Sequence, residues 1–123
     1  LAGIEEKATA TLVVALREAG IRDPATTARL NVTVLGKLKP ELIVCDIDDL
    51  NVDPLETLRQ LRFVLPKCLI AVFTGLETEG WGLACHLAGA NCLLSKKSTR
   101  TELVVGLRDT LIHGCYTDPH LAA

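Results

Sequence analysis

Aromatic residues are scarce in this chain, 3% of 123 residues against 49% hydrophobic. A core built from such a sequence is aliphatic, made of Leu, Val, Ile and Ala, which suits helices packed on a parallel sheet. Basic runs are missing too, and the formal net charge is −2 at pH 7. That excludes an electrostatic footprint for nucleic acid on this segment alone. No apolar stretch approaches the roughly 18 residues of a membrane-spanning helix, and no signal-peptide pattern opens the chain. The expectation is a cytoplasmic protein without membrane contact. Cys45, Cys68, Cys85, Cys92 and Cys115 are odd in number and include no Cys-x-x-Cys pair. They read as reduced, mostly buried thiols and not as a zinc site. His86, His113 and His120 are scattered and read as surface or helix-end residues. A glycine-rich phosphate loop, a nucleophile elbow and a His-based acid–base pair are all lacking, which sets aside a small α/β enzyme.

What the chain does contain is a series of short apolar runs that end in polar groups. The length suits one domain with a closed core. Leu42 to Cys45 is apolar, and Ile43-Val44-Cys45, with no polar alternation, reads as a strand buried on both faces, delivering Asp46 at its end. Leu69 to Phe73 delivers Thr74 in the same way. Cys92 to Leu94 leads through Ser95 to Lys96. A fourth apolar piece, Leu1 to Ile4, ends in Glu5 and Glu6 and reads as the stub of a first strand. Helices fall between these runs. Ala8 to Ala19 places Leu12, Ala15, Leu16 and Ala19 on one face and stops at Gly20. Asn31 to Lys39 reads as a weak helix, and a short strand is possible at Thr26 and Thr27. Pro54 opens a helix that carries Leu55, Leu58 and Leu61 and ends before Pro66. A short helix is expected around Leu83 to Ala88. Ser98 or Thr99 can cap a last helix, and Glu102 is placed for a capping box with Thr99, with Leu103, Val104, Leu107 and Leu111 inward and Gly114 as the stop.

Strand and helix thus alternate five times, which predicts right-handed crossovers and a doubly wound parallel sheet. Ligands of such sheets bind beyond the carboxyl ends of the strands. Asp46, Thr74 and Lys96 fall at those ends, where they could converge on a small anion or a metal. With Asp46 as a phosphoryl acceptor, a hard divalent cation would need carboxylates, which Glu5 and Glu6 can supply beside Asp46. Lys96 would meet the developing negative charge and the Thr74 hydroxyl would sense the product. A phosphoryl group adds about −1.5 to −2 charges at one point, enough to bias a bistable loop.

Three segments carry a resemblance to a family. Pro40-Glu-Leu-Ile-Val-Cys-Asp-Ile47 with Asp53-Pro-Leu-Glu56, Ala71-Val-Phe-Thr-Gly75 and Ala88-Gly-Ala-Asn-Cys-Leu-Leu-Ser-Lys96 resemble the receiver domain of bacterial response regulators (CheY-like), most closely the NarL/FixJ/LuxR-type transcriptional subgroup. The resemblance implies a flavodoxin-like α/β fold with a five-stranded parallel sheet in the order 2-1-3-4-5 and helices on both faces. It implies a receiver over residues 1–114. Residues 115–123 are similar to the start of a linker toward a helix-turn-helix DNA-binding domain not present here. It further implies that Asp46 is phosphorylated by a sensor histidine kinase, and that Glu5, Glu6, Asp46 and the backbone carbonyl of Asp48 hold Mg²⁺. Thr74 would be the switch hydroxyl and Lys96 the phosphate-binding lysine. The domain would form a homodimer, act on DNA only through the attached domain, and not be an enzyme in its own right. Departures are visible. The Glu5-Glu6 pair stands where Asp dominates and weakens the metal site. Asp49-Leu50 replaces the usual Met-Pro, Pro54 the usual Gly, and Leu93 the usual aromatic switch residue. Asp48 adds a negative charge two residues past the acceptor. These departures favour an alternative: a degenerate receiver acting as a phosphorylation-independent interaction or dimerisation module.

Overall fold

A computed structural model describes residues 3–20, 41–49 and 53–121, with the side chains of residues 10–20, 41–48 and 53–121. Four helices and four strands are present among them: α1 (Gly3–Glu18), β1 (Leu42–Asp46), α2 (Pro54–Val64), β2 (Leu69–Thr74), α3 (Trp81–Ala88), β3 (Cys92–Ser95), α4 (Arg100–His113) and β4 (Tyr116–Thr117). A 3-10 turn, Ile47–Asp49, follows β1, and another, Pro119–Leu121, follows β4.

Among the described residues the sheet has four parallel strands in the order β1-β2-β3-β4, where five in the order 2-1-3-4-5 were expected. Their side chains alternate between two cores, as the pleat requires. Ile43, Cys45, Ile70, Val72 and Leu93 face α2 and α3, packing on Leu58, Leu61, Cys85 and Ala88. Ala71, Phe73, Cys92 and Leu94 face α1 and α4, packing on Leu12, Ala15, Leu16, Leu103, Val104 and Leu107. A sheet covered on both faces needs apolar residues at every strand position, which explains why these runs lack polar alternation. Leu111 is the exception to the expected α4 face and lies 44% exposed.

Local chemistry sets the helix ends. The Asp53 side chain accepts the Leu55 N–H at 3.0 Å, and Pro54 takes the first helical position, where no N–H is needed. Thr99 and Glu102 form the reciprocal capping box of α4. Four of the five cysteines are buried and none forms a disulfide.

Two expectations change. The predicted first strand is absent among the described residues: α1 already begins at Gly3, so Glu5 and Glu6 lie in its first turns and not at a strand end. Glu5, Glu6, Lys7 and Ala8 are competent helix formers with no breaker among them, and they extend the helix backward through Ile4. The predicted second strand at Thr26–Thr27 and the helix at 31–39 lie outside the described residues. The other change is at the C-terminal side. Residues 115–121, expected to open a linker, lie on the domain. β4 pairs with the outer edge of β3, Cys92 opposite Tyr116 and Leu93 opposite Thr117. Asp118 is 1% exposed and accepts hydrogen bonds from the Ser98 hydroxyl and the His120 N–H. Leu121 enters the core shared with α3. Two helix glycines leave room for this tail. A Cβ on Gly106 would stand 2.6 Å from the Tyr116 ring, and one on Gly82 would stand 2.7 Å from the Leu121 carbonyl. His86 and His120, expected to be unremarkable surface residues, both anchor it. The His86 ring lies 2.8 Å from the Thr117 hydroxyl, and the His120 ring 2.8 Å from Asp118.

Candidate functional site

Parallel register aligns the strand ends at one rim of the sheet. Asp46 lies opposite Phe73, and Thr74 opposite Ser95, with Lys96 next. Asp46 is the last residue of β1. The 3-10 turn that follows, anchored by the buried Ile47, curls the chain back so that the Asp48 N–H donates to Asp46 Oδ1 at 3.1 Å. Lys96 crosses the Phe73 ring at 5.7 Å from its centroid, a cation–π contact that steers the stem. Its ammonium, on a side chain only 10% exposed, sits 3.0 Å from Asp46 Oδ1 and 3.1 Å from Asp48 Oδ2.

Asp48 is the centre of this rim. The residue as a whole is exposed, yet its side chain is turned inward and only 21% exposed. Oδ1 accepts the Thr74 hydroxyl at 2.7 Å, and Oδ2 accepts the Gly75 N–H at 2.7 Å. Thr74 is buried, and its Oγ1 in turn accepts the Leu76 N–H at 3.1 Å. Burial pushes the Asp48 carboxyl up, but the Gly75 amide, the Thr74 hydroxyl and Lys96 together outweigh it and hold the group below the usual carboxylate range. The neighbouring thiols behave in the opposite way. Burial, with Asp46 adding to it, raises Cys45 to about 12, and burial with Asp48 raises Cys85 to about 11. Both stay protonated at neutral pH, so neither is a nucleophile for this site.

The structure brings together Asp46, Thr74 and Lys96, the three strand-end residues anticipated from sequence. It brings in Asp48 by its carboxylate, which was expected to add charge near the site but not to bind Thr74, Gly75 and Lys96. The Gly75 N–H was not anticipated at all. An acid in a turn just after a strand often folds back onto nearby backbone amides, which is the signal that could have pointed to both. The side chains of Glu5 and Glu6 lie outside those described. Oxygen donors such as Asp46 are of the right kind for a hard divalent cation. In number the described residues fall short, since no group of three or more acids, histidines or cysteines among them is placed to hold a metal. The ammonium of Lys96 supplies the positive charge between the two carboxylates.

No protein-family model and no curated protein matches the chain. Solved structures do. A response regulator protein from Burkholderia pseudomallei, crystallised with a phosphorylated aspartic acid, a calcium ion and citrate, superimposes with a TM-score of 0.66 at 21% identity. The match covers 90% of this chain and 66% of that one. A two-component response regulator of the LuxR family from an Aurantimonas species gives a TM-score of 0.65 at 23% identity, covering 89% of this chain and 83% of that one. The chain therefore has the flavodoxin-like, CheY-like fold of response-regulator receivers.

Proposed function

We propose that this chain is the receiver domain of a two-component response regulator of the LuxR/NarL kind. In this reading a phosphoryl group passes from a histidine nitrogen of a sensor kinase to an Asp46 carboxylate oxygen. The N–P bond breaks as the O–P bond of an acyl phosphate forms. Lys96 meets the added negative charge, and the Thr74 hydroxyl turns from Asp48 to donate to it. Mg²⁺, bound through Asp46, the Asp48 carbonyl and the Glu5-Glu6 pair, would neutralise phosphoryl oxygens. The Burkholderia pseudomallei relative supports the cation by carrying calcium with its phosphorylated aspartic acid. The output is transcriptional, through an attached DNA-binding domain beyond residue 121, and the working unit is a homodimer in the cytoplasm. No helix among the described residues is long and apolar enough to cross a membrane. The domain turns over no separate small-molecule substrate.

The observation that carries this reading is the convergence of Asp46, Thr74 and Lys96 at one rim through a shared network. Incubation with Mg²⁺ and a small acyl-phosphate donor tests it. The expected result is one phosphoryl group per chain, seen by intact-mass spectrometry and abolished by Asp46→Asn. No transfer to wild type or to Asp48→Ala would overturn the reading. The second reading, a phosphorylation-independent module, has one specific observation in its favour: a carboxylate already occupies the donors that a phosphoryl group would need.

A further inference from the structure

A phosphoryl group on Asp46 would bring three acceptor oxygens and up to two negative charges into this rim. It would need fixed donors. Three stand there: the Thr74 hydroxyl, the Gly75 N–H and the Lys96 ammonium. All three end on the Asp48 carboxylate, at 2.7, 2.7 and 3.1 Å. One donor is a buried hydroxyl, one a backbone amide and one a desolvated cation, so the set is not a solvated surface pairing. We propose that Asp48 is a built-in anion for this donor set. It holds Thr74, Gly75 and Leu76 in the arrangement an anion on Asp46 would impose, and a phosphoryl group must displace it.

Local geometry explains why the chain itself can supply the anion. Asp48 is two residues past Asp46, and the 3-10 turn between them points its carboxylate back across the rim. The Asp48 oxygens divide the donors: Oδ1 takes the hydroxyl, while Oδ2 takes the amide and shares the ammonium with Asp46. The Thr74 hydroxyl passes the constraint on through the Leu76 N–H, at the start of the segment that leads to α3 and Trp81. Trp81 packs against the core beneath α2 and α3, so its ring is placed to report the state of that segment. The displacement part of this inference rests on the reading of Asp46 as the acceptor; the occupancy part does not.

The test compares the full chain with Asp48→Ala and with the isosteric, uncharged Asp48→Asn, using beryllofluoride with Mg²⁺ as the probe. Amide NMR shifts and hydrogen exchange at Gly75 and Leu76 are the readout, together with Trp81 fluorescence. Without a probe, Asp48→Ala is expected to shift both amides and speed their exchange by about tenfold or more, and Asp48→Asn to do so partially. Beryllofluoride is expected to return the Asp48→Ala signals toward wild type. It should bind that variant about tenfold or more tightly than wild type. A substitution that merely loosened the loop would not be reversed by an anion. Unchanged Gly75 and Leu76 amides in Asp48→Ala overturn the inference, as does equal beryllofluoride affinity in wild type and variant; both leave the receiver reading standing. Failure of every form to bind the probe removes Asp46 as acceptor, and with it the displacement step.

Discussion

The sheet has a cation at each end, and the two are held in different ways. At the rim beyond the strand ends, among the described residues, the Lys96 ammonium is shared between two carboxylates. At the opposite rim, where β2 and β3 begin, the Arg62 guanidinium is held largely by main-chain oxygens. It donates to Gly89 O through Nη2 at 2.7 Å and Nε at 3.1 Å, and to Cys68 O through Nη1 at 2.7 Å. Asn91 Oδ1 also accepts from it, and accepts the Ile70 N–H at 2.9 Å. Backbone carbonyls at the ends of α2 and α3 cannot leave, and they carry no net charge to be neutralised. The carboxylates of Asp46, at the end of β1, and Asp48, on the 3-10 turn, are side chains that can rotate away and be replaced by another anion. One cation therefore has partners fixed by the backbone, and the other has partners that can turn away. Burial of a charge says little about function until the mobility of its partners is known.

Removing the fastening cation is expected to have the largest effect. Arg62→Ala strands several carbonyls and the Asn91 amide, and should cost about 3 kcal/mol in denaturant unfolding. It should leave anion binding at Asp46 unchanged. Lys96→Met leaves two carboxylates facing each other across the site and should cost about 2 kcal/mol at pH 7. That loss should shrink on titration toward pH 4, because the Asp48 carboxyl, no longer held down by Lys96, takes up a proton more readily; denaturation midpoints over this range check it. Gly89→Ala comes next. Its φ of +126° disfavours any side chain, and a Cβ would meet Arg62 Cβ at 2.7 Å. A loss of about 1 to 2 kcal/mol is expected. Asp48→Ala should change global stability by about 1 kcal/mol or less, since relief of repulsion with Asp46 offsets the lost hydrogen bonds. A loss near that of Arg62→Ala would erase the distinction between the two rims.

The smallest effect is expected in the tail, where a third charged cluster mixes the two designs. Asp118 is buried like the Arg62 partners but titratable like the Lys96 partners. Burial pushes its carboxyl up, yet the Ser98 hydroxyl and the His120 N–H and ring outweigh that and hold it below its ordinary 3.8. The His120 ring is raised above 6.5, first by its hydrogen bond to Asp118, against slight desolvation, and with help from the charges of Asp118, Glu102 and Glu77. The Asp118 contribution is present above pH 3.8 and fades as pH falls through its lowered pKa. The His120 contribution is complete below pH 6.5 and fades as pH rises through its raised pKa. Protection of the Tyr116 and Asp118 amides, which donate to Asn91 O and Leu93 O at 3.0 Å, should therefore be greatest between those limits. His120→Gln should flatten the alkaline branch alone.

Much of this architecture was legible because it rests on local rules. Unbroken apolar runs marked β1, β2 and β3, Pro54 marked one helix start, and Ser98 or Thr99 with Glu102 bracketed another. Once the strands were parallel, Asp46, Thr74 and Lys96 had to share a rim. The remainder depends on relations that no window of sequence contains. A two-residue strand such as Tyr116–Thr117 has no period to detect. Gly82 and Gly106 acquire a purpose only when Leu121 and Tyr116 arrive from elsewhere in the chain. Asp48 drew notice for its charge, but the direction of its side chain is set by a single 3-10 turn. The start of α1 was missed because four apolar residues at the beginning of the chain suit a strand as well as a helix.

The burial of the thiols has a practical consequence for anyone following this domain in solution. Four of the five are enclosed, with Cys45 and Cys92 raised to about 12, while Cys115 alone is exposed. Maleimide reagents require an accessible thiolate. A dye added to the native protein near neutral pH will therefore attach at Cys115, one residue ahead of β4, and turn detachment of the tail from β3 into an optical signal without any engineered cysteine.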